Sequence, residues 1–180
     1  MIWDGFPQIQ RELARVQSVI LDEVRTPGGE LSAALVDLAT RDAKLLRPAF
    51  TVMAARFQVG SGPVPDRIIK LAAAIEMLHM ASLVHDDIVD DAVRRRGKPA
   101  LHVDYGPRKA VLMGDYLFSR CFNVVADLAS PENARLLSSS VTRLLSAEID
   151  ETNSTLGRNG KRGPFAGVGL SSLDYLLGCS

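Results

Sequence analysis

Apolar side chains recur at steps of three and four residues along most of this chain, and no other feature of the sequence constrains the fold as strongly. In the first segment Ile9, Leu13, Val16 and Ile20 follow this spacing, which places all four on one face of an α-helix. No segment alternates between apolar and polar residues for long enough to predict a strand. The spacing therefore predicts an all-α protein, built as a bundle of long helices.

Glycines, prolines and capping residues divide this pattern into separate helices. The predicted helices are one that ends near Thr26, one over residues 31–40, one from Pro48 through Phe57, one capped by Asp66 that runs into residues 86–91, and two over residues 107–128 and 131–155. The basic residues 94–98 and the proline after them are predicted to form a loop behind the fourth helix.

Net charge, apolar segments and cysteine spacing indicate where the protein is located and which partners it does not bind. Formal net charge is zero, so no overall field draws the chain to nucleic acid or to an anionic membrane. The most apolar window, Leu71 to Val84, is shorter than the ~20 residues of a membrane-spanning helix, and residues 1–7 show no secretory signal. Cys121 and Cys179 lie far apart in no metal or redox spacing, which favours reduced thiols. We therefore expect a soluble cytoplasmic protein without a transmembrane segment.

Four aspartates stand together at the end of the fourth predicted helix, and they predict a cation site. Asp86 and Asp90 are one helical turn apart, so both carboxylates project from one face, with Asp87 and Asp91 about 100° further round. Like charges at this spacing repel, and apolar neighbours add a desolvation cost. Mg²⁺ held by one or two carboxylates together with substrate phosphates would relieve both. The alternative is a solvated acidic helix end.

Basic side chains follow these aspartates directly and indicate a polyanionic ligand. Residues 94–98 read Arg-Arg-Arg-Gly-Lys, and guanidinium groups bind phosphate oxygens through paired hydrogen bonds. Lys44 and Arg47 precede Pro48 near a predicted helix N-terminus, which is a natural anion site. His79 lies about two helical turns before Asp86, on roughly the same face. The alternatives are basic residues that complement a helix dipole and a histidine of the core.

Several segments of the chain together resemble one known family. Residues 79–91, which read His-Met-Ala-Ser-Leu-Val-His-Asp-Asp-Ile-Val-Asp-Asp, followed by residues 95–98, resemble the first aspartate-rich motif of the trans-polyprenyl diphosphate synthases. Residues 44–48 resemble the upstream basic element of that family, residues 114–118 its Gly-Asp-Tyr-Leu segment, and residues 148–149 its Gly-Glu step. The resemblance implies the N-terminal part of an isoprenoid-synthase fold.

The resemblance also implies a reaction, in which isopentenyl diphosphate condenses with an allylic prenyl diphosphate to give a polyprenyl diphosphate. It implies that Asp86 and Asp90 form the catalytic pair and hold Mg²⁺ against the allylic diphosphate, which Arg95 also contacts. The diphosphate of isopentenyl diphosphate would be bound by four residues, namely Lys44, Arg47, His79 and Arg96. A small residue at Ala81, five positions before Asp86, implies a product longer than farnesyl. The family further implies assembly as a homodimer or heteromer.

The chain departs from the family pattern at several positions. Leu45 and the Asp42-Ala43 pair replace a basic residue and glycines of the upstream element, and Glu151 stands where the family usually has glutamine. The resemblance ends near residue 156, and the second aspartate-rich motif is absent. Five glycines between residues 157 and 169 would not sustain a helix. We therefore assign residues 1–156 to the prenyltransferase domain and residues 157–180 to a non-matching tail, as if the chain were truncated or its reading frame shifted.

The missing second motif leaves another class of function open. A non-catalytic or regulatory subunit of a heteromeric prenyl synthase would not need that motif, although it would also not need the costly aspartate cluster. A head-to-head synthase, such as squalene synthase, is disfavoured by the Arg95-Arg96-Gly97 sequence and by the Lys44 and Arg47 pair. Prenyl chain elongation is therefore the leading hypothesis.

Overall fold

The computed structural model describes residues 3–158 apart from residues 27, 28, 42, 43, 61 and 129. Within these residues the chain forms seven helices and one short hairpin, and the predicted all-α bundle is confirmed. The elements are α1 (Pro7–Val24), α2 (Gly29–Thr40), α3 (Leu46–Val59), α4 (Asp66–Val89), β1 (Arg94–Arg95), β2 (Lys98–Pro99), α5 (Leu101–Tyr105), α6 (Pro107–Leu128) and α7 (Pro131–Arg158). Helix α7 therefore extends past the predicted end near residue 155. Residues 159–180, most of the expected tail, lie outside the described residues, so the domain boundary stays a prediction.

Helix α4 lies at the centre of the bundle because it is apolar on more than one side. It packs chiefly against α6 and also contacts α1, α3 and α5. Its alanines at 72, 73, 74 and 81 are fully buried, and small side chains at a helix contact allow a short interaxial distance. The larger Ile69 and Met77 are also buried, each contributing about 1.5–3 kcal/mol of transfer free energy. Packing on several sides fixes the end of α4, where the aspartates lie.

Helix α4 is also the one described helix that is long and apolar enough to cross a membrane by length and composition alone. Of its most apolar window, 56% is buried inside the structure. Burial of this kind, with protein neighbours on several sides, is the pattern of a core helix.

A buried carboxylate joins α1 to α3 and to the loop before α4. Glu12 is 5% exposed, and its Oε1 accepts hydrogen bonds from Arg56 Nη2 at 3.0 Å and from the Val64 backbone N–H at 3.2 Å. Arg15 Nη1 donates to Glu12 Oε2 and to the Val64 carbonyl oxygen. Both oxygens of Glu12 therefore have protein partners, which is the condition for burying a charge at low cost.

The prediction that Asp66 caps α4 is wrong. The N-cap residue is Pro65, and it makes no side-chain capping hydrogen bond. Asp66 is the first residue of the helix, and its Oδ1 accepts a hydrogen bond from Arg15 Nη2 at 2.5 Å. The carboxylate is engaged by α1, and this long-range partner is invisible to a rule that looks only at neighbours in sequence.

The basic segment after α4 forms a β-hairpin, where the sequence predicted a loop and no strand. The strands β1 and β2 are antiparallel, with Arg95 opposite Lys98. Arg96 and Gly97 form the turn with φ angles of 49° and 78°, and a type I′ turn requires positive φ at both central positions. Strands of two residues have no detectable alternation, so the spacing rule could not find them. The hairpin places Arg95 beside α4, where its side chain donates a hydrogen bond to Asp87.

Candidate functional site

A pocket lies between the C-terminal half of α4, the end of α2, the hairpin and the start of α5. Apolar side chains form one part of its wall and charged side chains form the other. The lining residues are Leu38, Ala39, Arg41, Glu76, His79, Met80, Leu83, Val84, Asp87, Arg95, Arg96, Ala100 and Leu101. Three of the predicted site residues, His79, Arg95 and Arg96, are thus brought together in one pocket.

Asp87 is the aspartate of the cluster that faces this pocket, and it is already paired. It is 5% exposed, and its Oδ1 accepts hydrogen bonds from Arg95 Nε at 2.8 Å and from Arg95 Nη2 at 2.5 Å. Both donors belong to one guanidinium plane, so the pair fixes the orientation of that plane. Asp87 therefore holds Arg95 in place at the pocket wall, a role that the sequence did not reveal.

Asp86 and Asp90 lie outside the pocket lining, on successive turns at the end of α4. The backbone N–H of Asp90 donates to the carbonyl oxygen of Asp86 at 2.8 Å, and Asp90, the C-cap, keeps αR backbone angles. Both residues are half-buried, whereas Asp91 is exposed with a φ of 49°. No cluster of three or more metal-ligating side chains occurs among the described residues. A half-exposed carboxylate pair fits Mg²⁺, which takes one or two protein carboxylates and completes its shell with waters and substrate phosphates.

Buried charges interact at the other end of the pocket. Burial raises the pKa of the Glu76 carboxyl, and the positive charges of Arg47 and Arg96 oppose that rise. Burial, together with repulsion from Arg47, Arg96 and Arg95, lowers the pKa of His79 to about 3. The imidazole is therefore neutral at ordinary pH, with one ring N–H available as a donor. Burial likewise lowers the pKa of Arg47, with the charge of Glu76 acting in the opposite direction.

Two buried polar atoms in the pocket lack a hydrogen-bond partner within the described part of the chain. They are Nδ1 of His79 and Oε2 of Glu76, whose residues are 9% and 6% exposed. Buried polar atoms in native proteins are almost always satisfied by protein, water or ligand. Because arginines also line the pocket, its chemistry fits an anion that accepts from guanidinium and imidazole donors.

Lys44 stands apart from this cluster. It is exposed and absent from the pocket lining, and its carbonyl oxygen accepts a hydrogen bond from Trp3 Nε1 at 2.8 Å. Leu45, which replaces a basic residue of the family pattern, is 9% exposed and has a φ of 48° at the N-cap of α3. Arg47 is also outside the lining, although its charge acts on both Glu76 and His79. The structure thus connects Arg47 with the pocket and leaves Lys44 outside it.

The Gly-Asp-Tyr-Leu segment of α6 packs against His85, the residue that directly precedes the aspartates. A Cβ added to Gly114 would lie 2.4 Å from Nε2 of His85, so only glycine lets the imidazole approach this closely. The His85 ring stacks on Phe118 with 5.5 Å between centroids. Its Nε2 lies 3.3 Å from the carbonyl oxygen of Val111 and 3.3 Å from Oδ1 of Asp115. The segment therefore anchors α4 to α6 at the position just before Asp86.

Sequence reasoning did not assign Glu76 or Arg41 to the site. Glu76 lies three residues before His79 in an otherwise apolar stretch of α4, and this i, i+3 spacing was the available signal. Arg41 lies at the end of α2, and its position in the pocket depends on contacts with the hairpin some sixty residues later. No local pattern could have indicated that contact.

Known proteins resemble this chain in both sequence and structure. The family model described as Polyprenyl synthetase matches residues 29–161. Component 2 of heptaprenyl diphosphate synthase from Geobacillus stearothermophilus is 36% identical over 140 residues, which are 78% of this chain and 43% of that protein. Nonaprenyl diphosphate synthase from Mycobacterium tuberculosis is 35% identical over 147 residues, which are 82% of this chain and 43% of that protein.

Solved structures of prenyl synthases also resemble this chain in fold. The crystal structure of heptaprenyl diphosphate synthase from Staphylococcus aureus superposes with a TM-score of 0.76 at 25% identity, covering 81% of this chain and 45% of that one. A polyprenyl synthase from Caulobacter crescentus, crystallised with calcium and isoprenyl diphosphate, gives a TM-score of 0.69 at 34% identity, covering 77% and 41%.

The chain is an all-helical bundle in which paired aspartates lie beside an arginine-lined pocket, and it superposes on part of the structures of known prenyl diphosphate synthases. The family model covers most of the chain, and the chain belongs to the polyprenyl synthetase family. It spans less than half the length of the curated relatives described above.

Proposed function

We propose that this chain contributes the first metal- and diphosphate-binding part of a magnesium-dependent prenyltransferase, which condenses isopentenyl diphosphate with an allylic prenyl diphosphate to give a polyprenyl diphosphate. The observation that carries the proposal is the pocket where His79, Arg95 and Arg96 meet, beside the pair formed by Asp86 and Asp90. The Caulobacter crescentus relative was crystallised with calcium and isoprenyl diphosphate, a divalent cation and a diphosphate ester. Both suit the chemistry of this site. The family resemblance further implies assembly as a homodimer or heteromer, and the spacing of the two cysteines favours reduced thiols and hence the cytoplasm.

In this proposal the allylic diphosphate binds at the aspartate end of the pocket. Asp86 and Asp90 would hold Mg²⁺, which would supply positive charge to stabilise a departing diphosphate. Arg95, oriented by Asp87, donates to oxygens of the same group while the C–O bond breaks. Apolar side chains of the wall, such as Leu83 and Val84, exclude water from the allylic cation. The isopentenyl double bond then forms a C–C bond to this cation, and transfer of a proton from the new cation to the released diphosphate gives a longer allylic product.

The diphosphate of isopentenyl diphosphate binds at the other end, near the buried charges. Arg96 lines the pocket there, and the neutral imidazole of His79 donates one N–H without adding charge. Arg47 adds a positive charge that acts on this end of the pocket. The part played by Lys44 rests on the resemblance alone, because the side chain is outside the lining.

The product in this proposal is longer than farnesyl, because Ala81 is small. Ala81 is fully buried in α4 and is absent from the pocket lining. An aromatic side chain at this position would therefore displace the side chains that pack around it. In an active assembly that contains the chain, Ala81→Phe should shift the products to shorter chains. Chromatography of the product mixture measures this, and an unshifted distribution would refute the role of Ala81.

A second candidate function is that of a non-catalytic subunit that completes a partner synthase. Two observations favour it. The Geobacillus stearothermophilus relative is itself named as one component of a synthase. Helix α7 makes few contacts with the other described helices and exposes Leu136, Leu145 and Ile149. Gel filtration with and without a candidate partner distinguishes the two functions, because the second requires a stable complex that gains activity.

Calorimetric titration with a non-hydrolysable allylic diphosphate, with and without Mg²⁺, tests the leading proposal. Asp86→Asn and Asp90→Asn should each abolish the magnesium-dependent binding and leave the fold intact, since each removes a like-charge repulsion. Asp91→Asn is the matched control, because Asp91 is exposed and asparagine tolerates its positive φ. Unchanged affinity in both Asp86→Asn and Asp90→Asn would exclude the assigned metal site.

A further inference from the structure

The hairpin is fastened to the end of α2 by a group of residues that we call the α2–hairpin clasp, namely Asp37, Arg41 and Lys98. Arg41 Nε donates to Asp37 Oδ2 at 2.6 Å, and Arg41 Nη1 donates to the Pro99 carbonyl oxygen at 3.0 Å. Lys98 Nζ donates to Asp37 Oδ1 at 2.9 Å. In return, Arg96 Nη1 donates to the Arg41 carbonyl oxygen at 3.0 Å. Hydrogen bonds therefore run in both directions between α2 and the hairpin.

The clasp is partly buried, and its two positive side chains pair with the one carboxylate. The Arg41 side chain is 10% exposed and lines the pocket, and its Nη2 lies 2.5 Å from Asp37 Oδ2. Hydrogen bonds from Lys98 and Arg41 lower the pKa of Asp37, so the carboxylate is charged at ordinary pH. A planar guanidinium can hold a carboxylate and a carbonyl oxygen at once, whereas an ammonium group has no such fork.

The hairpin needs this support because its own ladder is very short. Each strand has two residues, and even an ordinary two-stranded hairpin is only marginally stable in water. The turn residue Arg96 adopts a φ of 49°, which a non-glycine residue adopts at a cost unless its surroundings hold it there. Its side chain is held by the Arg41 carbonyl oxygen, and the neighbouring Arg95 is held by Asp87.

We propose that Asp37 and Arg41 are positioning residues for diphosphate binding, which act by holding the hairpin so that Arg95 and Arg96 stay at the pocket wall. This inference rests on the proposed function, because it concerns the same anion. Neither Asp37 nor Arg41 belongs to the segments that carry the family resemblance. Arginines that are already ordered lose less conformational entropy when the anion arrives, so the clasp strengthens binding through the two arginines that it holds in place.

The test uses the 180-residue chain and inorganic pyrophosphate with Mg²⁺, titrated by calorimetry. Asp37→Ala and Arg41→Ala should each weaken pyrophosphate binding about tenfold, the order expected for two side chains that must be ordered anew. Arg41→Lys should weaken it by an intermediate factor, because it keeps the charge and loses the fork. Asp22→Ala and Arg25→Ala are matched controls, since these residues form an exposed ion pair at the C-terminal end of α1, and neither side chain pairs with a described residue of the hairpin.

Hydrogen exchange gives a second readout that distinguishes positioning from loss of the fold. In the Asp37 and Arg41 variants the amides of residues 94–100 should exchange faster, while those of α1 and α4 keep their protection. If the unmodified chain fails to bind pyrophosphate, the proposed function fails and this inference fails with it. If the unmodified chain binds, and the clasp variants match the controls in affinity or in hairpin exchange, the clasp alone is refuted. General loss of protection in Arg41→Lys would also refute it, by showing a role in the whole fold.

Discussion

Glu12 and Glu76 are both buried carboxylates, yet their surroundings differ in one decisive respect. Both oxygens of Glu12 accept hydrogen bonds, from Arg15, from Arg56 and from the Val64 backbone. Oε2 of Glu76 has no partner among the described residues, and burial raises the pKa of this carboxyl. The first carboxylate is satisfied by the protein itself, whereas the second sits in a pocket lined by arginines.

The difference shows which buried charge supports the fold and which belongs to a binding site. A fully paired ion group is costly to break, because removing one partner leaves the others buried and uncompensated. An incompletely satisfied group is a weak contributor to stability, and such groups in native structures call for a specific explanation such as a ligand or water. Asp87 is intermediate, since it is buried beside the pocket and paired with Arg95. The three carboxylates therefore predict three graded outcomes.

The largest effect is expected at Glu12. We expect Glu12→Ala to lower the free energy of unfolding by about 3–5 kcal/mol, because it leaves the guanidinium of Arg56 buried without its ion pair. Urea unfolding followed by circular dichroism measures the change. Asp22→Ala is the control, because its ion pair with Arg25 is exposed and is expected to contribute less than about 1 kcal/mol. A loss at Glu12 no larger than that at Asp22 would contradict the comparison.

An intermediate effect on stability, together with an effect on binding, is expected at Asp87. Asp87→Asn keeps the shape of the side chain and removes the charge that orients Arg95. The free energy of unfolding should fall by about 1–3 kcal/mol, the usual cost of weakening a hydrogen bond to a charged group. Pyrophosphate affinity should fall as well, because Arg95 loses its fixed orientation. Parallel denaturation and calorimetry measure both quantities, and lost stability with unchanged affinity would show that Asp87 is structural only.

The smallest effect is expected at Glu76, where pH gives the sharper test. Because burial raises the pKa of Glu76 in the fold above its usual value of 4.5, the folded chain binds this proton more tightly than the unfolded chain. That contribution to stability is complete below pH 4.5 and is lost as pH rises through the folded pKa. Glu76→Gln should therefore leave the free energy of unfolding within about 1 kcal/mol at low pH.

The same variant should become progressively more stable than the unmodified chain as pH rises through that window. Denaturation curves collected across the acid range measure the difference between the two chains. A difference that stays constant with pH would show that the pKa of Glu76 is the same in the folded and the unfolded chain, and the contrast with Glu12 would then be lost.

Sequence periodicity predicted the long helices well, because each has an apolar face that repeats over several turns. It failed where structure is short or depends on distant contacts. The five residues of α5 are too few to show a period, and the hairpin depends on a turn with positive φ at Arg96. In the site, spacing predicted that His79 shares a face of α4 with Asp86, whereas the pocket lining contains His79 together with Asp87 and leaves Asp86 outside.

The ion-pair partners of individual charged side chains could not be predicted from the sequence, for a different reason. Glu12 and Arg56 are 44 residues apart, and Asp37 and Lys98 are 61 residues apart. Such pairs are set by how the helices pack, and helix packing is not encoded in any local motif. The family resemblance identified the candidate site residues. It could not show that Arg95 is paired with Asp87 or that Lys44 lies outside the pocket lining.

The stacking of His85 on Phe118 makes the imidazole a spectroscopic reporter for the end of α4. Protons held over an aromatic face experience its ring current, so the imidazole signals of His85 should be displaced from those of an exposed histidine in a proton magnetic resonance spectrum. Because His85 directly precedes Asp86 and is wedged against Gly114, a small rearrangement there changes how the two rings overlap. Arrival of a cation at the aspartates could thus be followed through an atom that never touches it.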